Sequence, residues 1–338
     1  MYKIQPMTLL ENKSADIPAP REITTQPRRS DKIFRGVVTA GGLSSLLILG
    51  LIFIYLTYQG YDVLKSQGFG FITGSAWEVV ADDAGNINLE QTKFGIAAML
   101  VGTILCATIA VVIAVPISVL AALYLSFYAP AAVRKFMVTI IDLMAAFPSV
   151  LFGIWGFFVL MPSAEYWAKL LNKYLGFIPF FDMQVPVFTR SPFVAGVVLA
   201  IMIIPIVTSI SREIFGQTPL DRIQAAYALG ATRWAMIKAV VIPYGRSGVV
   251  GGAMLGLGRA MGETVAVYTV LNLVFQINWQ VLLGAGGNVA SMILLKFGEA
   301  GEGEVKALMA AGLALFVLTL FVNFLADLIV KSSGGKGR

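Results

Sequence analysis

Two charged side chains stand four residues apart inside an apolar stretch of the chain: Arg259 and Glu263, in MLGLGRAMGET, Met254 to Thr264. On a helix that spacing puts both on one face, within pairing distance. Counted from Ser247, Arg259 falls roughly 18 Å along such a helix, near the middle of a bilayer. A charge at that depth costs at least about 2.5–3.5 kcal/mol, so it belongs on a pathway or against a partner rather than in lipid. Arginine suits an oxyanion because its planar, permanently charged fork bonds two oxygens at once, and a carboxylate beside it would limit how tightly the anion is held. The two residues can equally neutralise each other and lock two helices together. Gly252, Gly256, Gly258 and Gly262 leave this helix slim, either for a neighbouring helix or for a permeating ion.

A second segment carries a different kind of signal. Thr218 to Pro243 reads TPLDRIQAAYALGATRWAMIKAVVIP. Thr218 before Pro219 is a helix-start signal, Gly230 suits the positive φ that ends a helix, and Thr232 can cap a second one before Pro243. The expected product is a helix-turn-helix elbow. Ala225, Ala226 and Gly230 keep one face of it thin enough to sit in a groove of another protein.

Both segments must be positioned by elements that live in lipid. The chain is 57% hydrophobic and only 13% charged over 338 residues, too little polar surface for a water-soluble domain. Six apolar stretches are long enough to cross a bilayer: 37–59, 95–124, 136–160, 193–211, 247–275 and 307–330. Pro116, Pro148 and Pro205 fall inside or near the ends of the second, third and fourth, where membrane helices tolerate a kink. With the N-terminus inside, seventeen Lys and Arg fall on the cytoplasmic side and seven outside, while ten acidic residues lie outside. That bias predicts both termini in the cytoplasm. Residues 1–36, basic and interrupted by four prolines, read as a disordered cytoplasmic tail, and 37–338 as one polytopic domain.

Several chemistries are excluded. There is no histidine and one cysteine, Cys106, so no Ser-His-Asp triad, Cys-His pair, structural zinc cluster or internal disulfide can form. No phosphate-cradling G-x-x-x-x-G-K-[ST] loop is present, so any ATP that drives the protein binds another chain. No metal or other cofactor, and no nucleic acid, is called for. The glycine-rich loop Gly284 to Asn288 and the acidic run Glu299 to Glu304 read as outer, solvated loops, or as places where a substrate-delivery protein docks.

The elbow resembles the EAA motif of ABC importer permeases: E-A-A, three residues, G, nine residues, I-x-L-P. Gln224, Ala225, Ala226, Gly230, Val240, Ile242 and Pro243 keep every spacing, with Gln for Glu, Val for Ile and Ile for Leu. The Arg259 segment, with Asp142 to Pro162 and Ile201 to Pro219, is similar to the PstC-type permease subunits of bacterial phosphate importers. The resemblance implies an all-α integral membrane protein of the six-helix, type I ABC importer permease fold in the bacterial inner membrane. It also implies that inorganic phosphate passes Arg259 and Glu263, while Gln224, Ala225, Ala226, Gly230 and Pro243 couple to ATP hydrolysis. The partners it implies are a PstA-like second permease, a PstB-like ATP-binding dimer and a PstS-like external phosphate-binding protein. The rival readings are an importer of molybdate or sulfate and an ATP-independent anion transporter.

Overall fold

The computed structural model of the chain describes residues 28–80, 91–183 and 187–334, with side chains through 328. Among the described residues six helices are long and apolar enough to cross a membrane. The first, α1 (Arg29–Gln67), is about 58 Å long and begins inside the expected tail, so 29–36 are helical; residues 1–27 of that tail lie outside the described residues. The chain divides into two compact units, Met1–Leu51 and Ile52–Arg338. The described part of the first is the N-terminal portion of α1, charged over Arg29–Arg35, apolar beyond, and exposed around its circumference, as a helix facing lipid must be.

The second unit holds the bundle. After α1 come the short turn α2 (Gly70–Thr73) and a small antiparallel ladder, β1 (Trp77–Glu78) with β2 (Lys93–Phe94), in which Trp77 faces Phe94. The second crossing is α3 (Ala97–Leu123). The third expected stretch, 136–160, is divided. Pro148 has no N–H and disfavours helical backbone at Phe147, so α4 (Ala131–Ala145) ends there and α5 (Ser149–Trp155) starts afresh, running on into α6 (Met161–Leu175). Then follow α7 (Pro192–Gly216), α8 (Leu220–Ala228), α9 (Arg233–Met236), α10 (Ile242–Met261), α11 (Val265–Val270), α12 (Val289–Phe297) and α13 (Glu302–Gly334).

Three helical turns widen to π geometry: Tyr124–Tyr128, Gly156–Leu160 and Ile237–Val241. Each lies just before a proline, Pro130, Pro162 or Pro243. At Pro162 and Pro243 the helix runs on, where the proline ring would strike the carbonyl four residues back and offers it no donor, and the widened turn relieves both; Pro130 follows the end of the α3 crossing, after an extended Ala129. Pro243 therefore does not end the second elbow helix, as the sequence suggests. One continuous crossing, Arg233–Met261, passes through it.

The centre of the unit is the packing of α3 and α10 against α7. Lipid provides no hydrophobic drive between helices, so these interfaces rely on small residues that let backbones approach. Ala107, Ala110, Ala114, Ala195 and Ala200 are buried there. On α10, Gly245 and Gly248 admit Phe215 and Ile214 of α7, Gly252 admits Ile210, and Gly256 admits Val207 and Ile203.

Candidate functional site

Packing against α7 fixes the depth of Arg259. Gly256, three residues before it, opposes Val207 and Ile203, half-way along α7, so Arg259 stands at mid-bundle. Its side chain is exposed and lines an open cleft of about 710 Å³ with Ile206, Gly251, Met254, Leu255, Gly258 and Asn323. Among the described residues the guanidinium has no hydrogen-bond or ion-pair partner. Across the cleft the buried Oδ1 of Asn323 also lacks one. Gly252 and Gly256 are used for helix packing, whereas Gly251 is open to the cleft on another face.

Glu263 is placed differently from the expectation of a pair on one helix face. The helix ends at Met261, and Glu263 lies in the turn before α11. It is 8% exposed, and its Oε1 accepts a hydrogen bond from the backbone N–H of Ala266 (3.4 Å) in the first turn of α11, where a carboxylate suits the helix dipole. Its own carbonyl accepts one from Asn288 Nδ2 (2.8 Å). No ion pair joins it to Arg259 among the described residues. The structure brings the two residues to one junction but gives them separate work: an unpaired cation facing the cleft, and a carboxylate holding the start of α11.

Asn288 was not singled out in the sequence, and the loop that contains it is not solvated. Gly286, Gly287 and Asn288 are buried, and a methyl group on Gly102 of α3 would strike the Gly287 carbonyl. Asn288 caps α12 reciprocally with Ser291. The N-x-x-S spacing just before an apolar run was the available signal. Of the acidic run, Glu304 is buried, accepting from Trp77 Nε1 (2.7 Å) and pairing with Lys296 (3.5 Å).

The elbow folds as α8, a turn and α9. Gly230 adopts φ +79°, and Thr232 Oγ1 accepts from Ala235 N–H (3.2 Å), both as expected. Thr218 does not cap: its hydroxyl is buried without a partner, and Pro219 takes the cap position. Nor do the alanines form one thin face, because Ala226 packs inward with Ile223 towards Phe215 and Met236, while Gln224, Ala225 and Gly230 are exposed. Exposed with them are Leu220, Tyr227, Leu229 and Trp234, a concentration of apolar surface typical of a docking face. Pro243 sits at the start of α10, beyond this surface.

Two further arginines escaped sequence reasoning. Arg233 Nη1 donates to the carbonyl of Phe127 (3.2 Å) and its guanidinium lies 5.3 Å from the ring centre of Tyr128, tying the elbow to the π turn that ends the α3 crossing. Arg190, with φ 52°, donates from Nη1 to Asn272 Oδ1 (3.1 Å) and lies 5.2 Å from the centre of the Phe157 ring. Both hydrogen bonds join residues more than 80 positions apart, which local pattern does not reveal.

Comparison with known proteins agrees with this architecture. Residues 114–333 match the family described as binding-protein-dependent transport system inner membrane component. The chain is 41% identical over 312 residues to phosphate transport system permease protein PstC 2 of Mycobacterium tuberculosis, covering 91% of this chain and 93% of that protein. It is 36% identical to PstC of Xylella fastidiosa, covering 94% and 95%. Among solved structures, a bacterial ABC transporter involved in the import of the acidic polysaccharide alginate superposes with a TM-score of 0.57 at 16% identity, over 90% of this chain and 99% of that one. The chain belongs to the family of binding-protein-dependent transport system inner membrane components, among its PstC-type permeases.

Proposed function

We propose that the chain is one of two membrane-spanning halves of an ATP-driven importer and that it carries inorganic phosphate into the cell past Arg259. The carrying observation is the exposed, unpartnered guanidinium at mid-bundle, beside a cleft. A cation at lipid depth is tolerated only against water or another chain. A PstA-like half closed over the cleft provides both: a covered pathway, and water within it. The naming of the relatives as phosphate transport permeases supports phosphate as the cargo.

The elbow's exposed surface is where one subunit of a PstB-like ATP-binding dimer docks, which makes that end cytoplasmic together with both termini. The opposite end then receives phosphate from a PstS-like binding protein outside the inner membrane. ATP binding closes the ATPase dimer, the elbow moves with it, and Arg233 draws the end of the α3 crossing along, opening the cleft outward. The chain is a transport subunit and makes or breaks no bond of its cargo. Glu263 serves the route by fixing the junction that follows Arg259.

The test is uptake of labelled phosphate by cells lacking their own phosphate importers and expressing this chain with its genomic partners. Unlabelled phosphate should compete, and sulfate and molybdate should not. Competition by either of those in place of phosphate would reassign the cargo, and uptake that persists without the ATP-binding subunit would overturn ATP coupling.

A further inference from the structure

A second cleft lies at the other end of the bundle from the elbow. Arg190 stands two residues before the start of α7, and the elbow follows the end of that helix. The cleft has a volume of about 450 Å³, and its walls include Phe157, Arg190, Tyr268, Thr269, Asn272 and Ser291. Arg190 is the one described residue other than glycine with positive φ, a backbone state uncommon for arginine. Its side chain is held there by neutral groups, the Asn272 amide oxygen and the face of Phe157. Among the described residues no carboxylate comes within ion-pairing distance, and the three undescribed positions nearest in sequence, Gln184, Val185 and Pro186, carry none. The guanidinium is thus oriented but not neutralised. An arginine serving as a clamp alone gains from a carboxylate partner, whereas one kept for an anion must leave its charge unspent.

One short element runs from the turn that follows Arg259 to the Arg190 cleft. Tyr268 and Thr269 of α11 line the Arg190 cleft, Asn272 follows the end of that helix, and Glu263 precedes its start beside the Arg259 junction. Six helical residues span only about 9 Å. We infer that Arg190 and the cleft around it form a first station for a tetrahedral oxyanion, from which the anion passes along α11 to Arg259. This rests on the reading of Arg259 given above. The station is shallow and partly wet, so it binds weakly and raises the local anion concentration rather than trapping the cargo.

The chain's lone cysteine, Cys106, is 1% exposed, so a thiol placed at 190 can be modified selectively. Arg190→Cys in the assembled importer should lower phosphate uptake at least about tenfold. Treatment with aminoethyl methanethiosulfonate, which restores a positive charge, should recover most of it, and neutral methyl methanethiosulfonate should not. The native importer treated alike is the control, and Arg190→Lys should keep much of the uptake. Normal uptake by Arg190→Cys, equal rescue by both reagents, or failure of the cationic reagent despite complete labelling would each overturn the station. Should the cysteine variant fail to accumulate, Arg190→Lys against Arg190→Gln decides, since a charge-based role requires the lysine form to be the more active. Arg259→Gln run in parallel separates the two ideas: its inactivity beside an active Arg190→Cys leaves the Arg259 pathway standing and removes only the station.

Discussion

Glu263 and Arg259 sit four residues apart without pairing: the carboxylate accepts from Ala266 at the start of α11, and the guanidinium is left to the cleft. That separation yields an asymmetry between the two. Glu263→Gln keeps an acceptor oxygen and should retain most transport. Glu263→Ala leaves the Ala266 N–H unmet and should lower the stability of the purified protein by about 1 kcal/mol, read from thermal unfolding in detergent. If the glutamine form were as inactive as an Arg259 variant, the carboxylate's charge would be needed on the route itself.

The contact of Arg233 with Phe127 and Tyr128 is the one side-chain bridge described between the elbow and the α3 crossing that involves a charged group. Arg233→Ala should uncouple: ATP hydrolysis continues in reconstituted vesicles while phosphate accumulated per ATP falls several-fold. A parallel loss of hydrolysis and uptake would mean that Arg233 acts in docking instead.

Gly230 at φ +79° tolerates no side chain without strain of about 1–2 kcal/mol. Gly230→Ala and Thr232→Ala should both loosen the elbow and weaken retention of the ATP-binding subunit during purification, leaving abundance in the membrane near normal. Full retention in both variants would place the docking surface elsewhere.

Glycines on α10 divide by face. Gly256 lies against Val207 and Ile203, whereas a methyl group placed on Gly251 would meet nothing within 4 Å. Gly256→Leu should prevent accumulation of the folded chain, while Gly251→Ala should be neutral or slightly stabilising, since alanine favours helix over glycine by roughly 0.5–1 kcal/mol. Unfolding midpoints and membrane abundance read the contrast.

Much of this was legible in the residues. Hydrophobic runs set the six crossings because lipid leaves no alternative to helix, and the turn chemistry of Gly230 and Thr232 acts locally, so it survives without knowledge of the surroundings. Other features depended on what lay opposite. The Gly284 to Asn288 loop looks the same whether solvated or pressed against Gly102, and only the fold shows it buried. The end of α10 at Met261 had no proline to mark it; the carboxylate of Glu263 and the amide of Asn288 hold the new direction. Prolines misled in both senses, since Pro148 divides an expected helix and Pro243, eased by a π turn, does not.

Whether phosphate passes the unpaired guanidinium of Arg259 is read from initial-rate uptake of labelled phosphate by Arg259→Gln and Arg259→Lys importers, normalised to assembled complex in the membrane. Near-complete loss is expected for the glutamine form and partial activity for the lysine form, which keeps the charge without the fork. Uptake by Arg259→Gln close to that of the native chain, with the complex intact, would contradict that route.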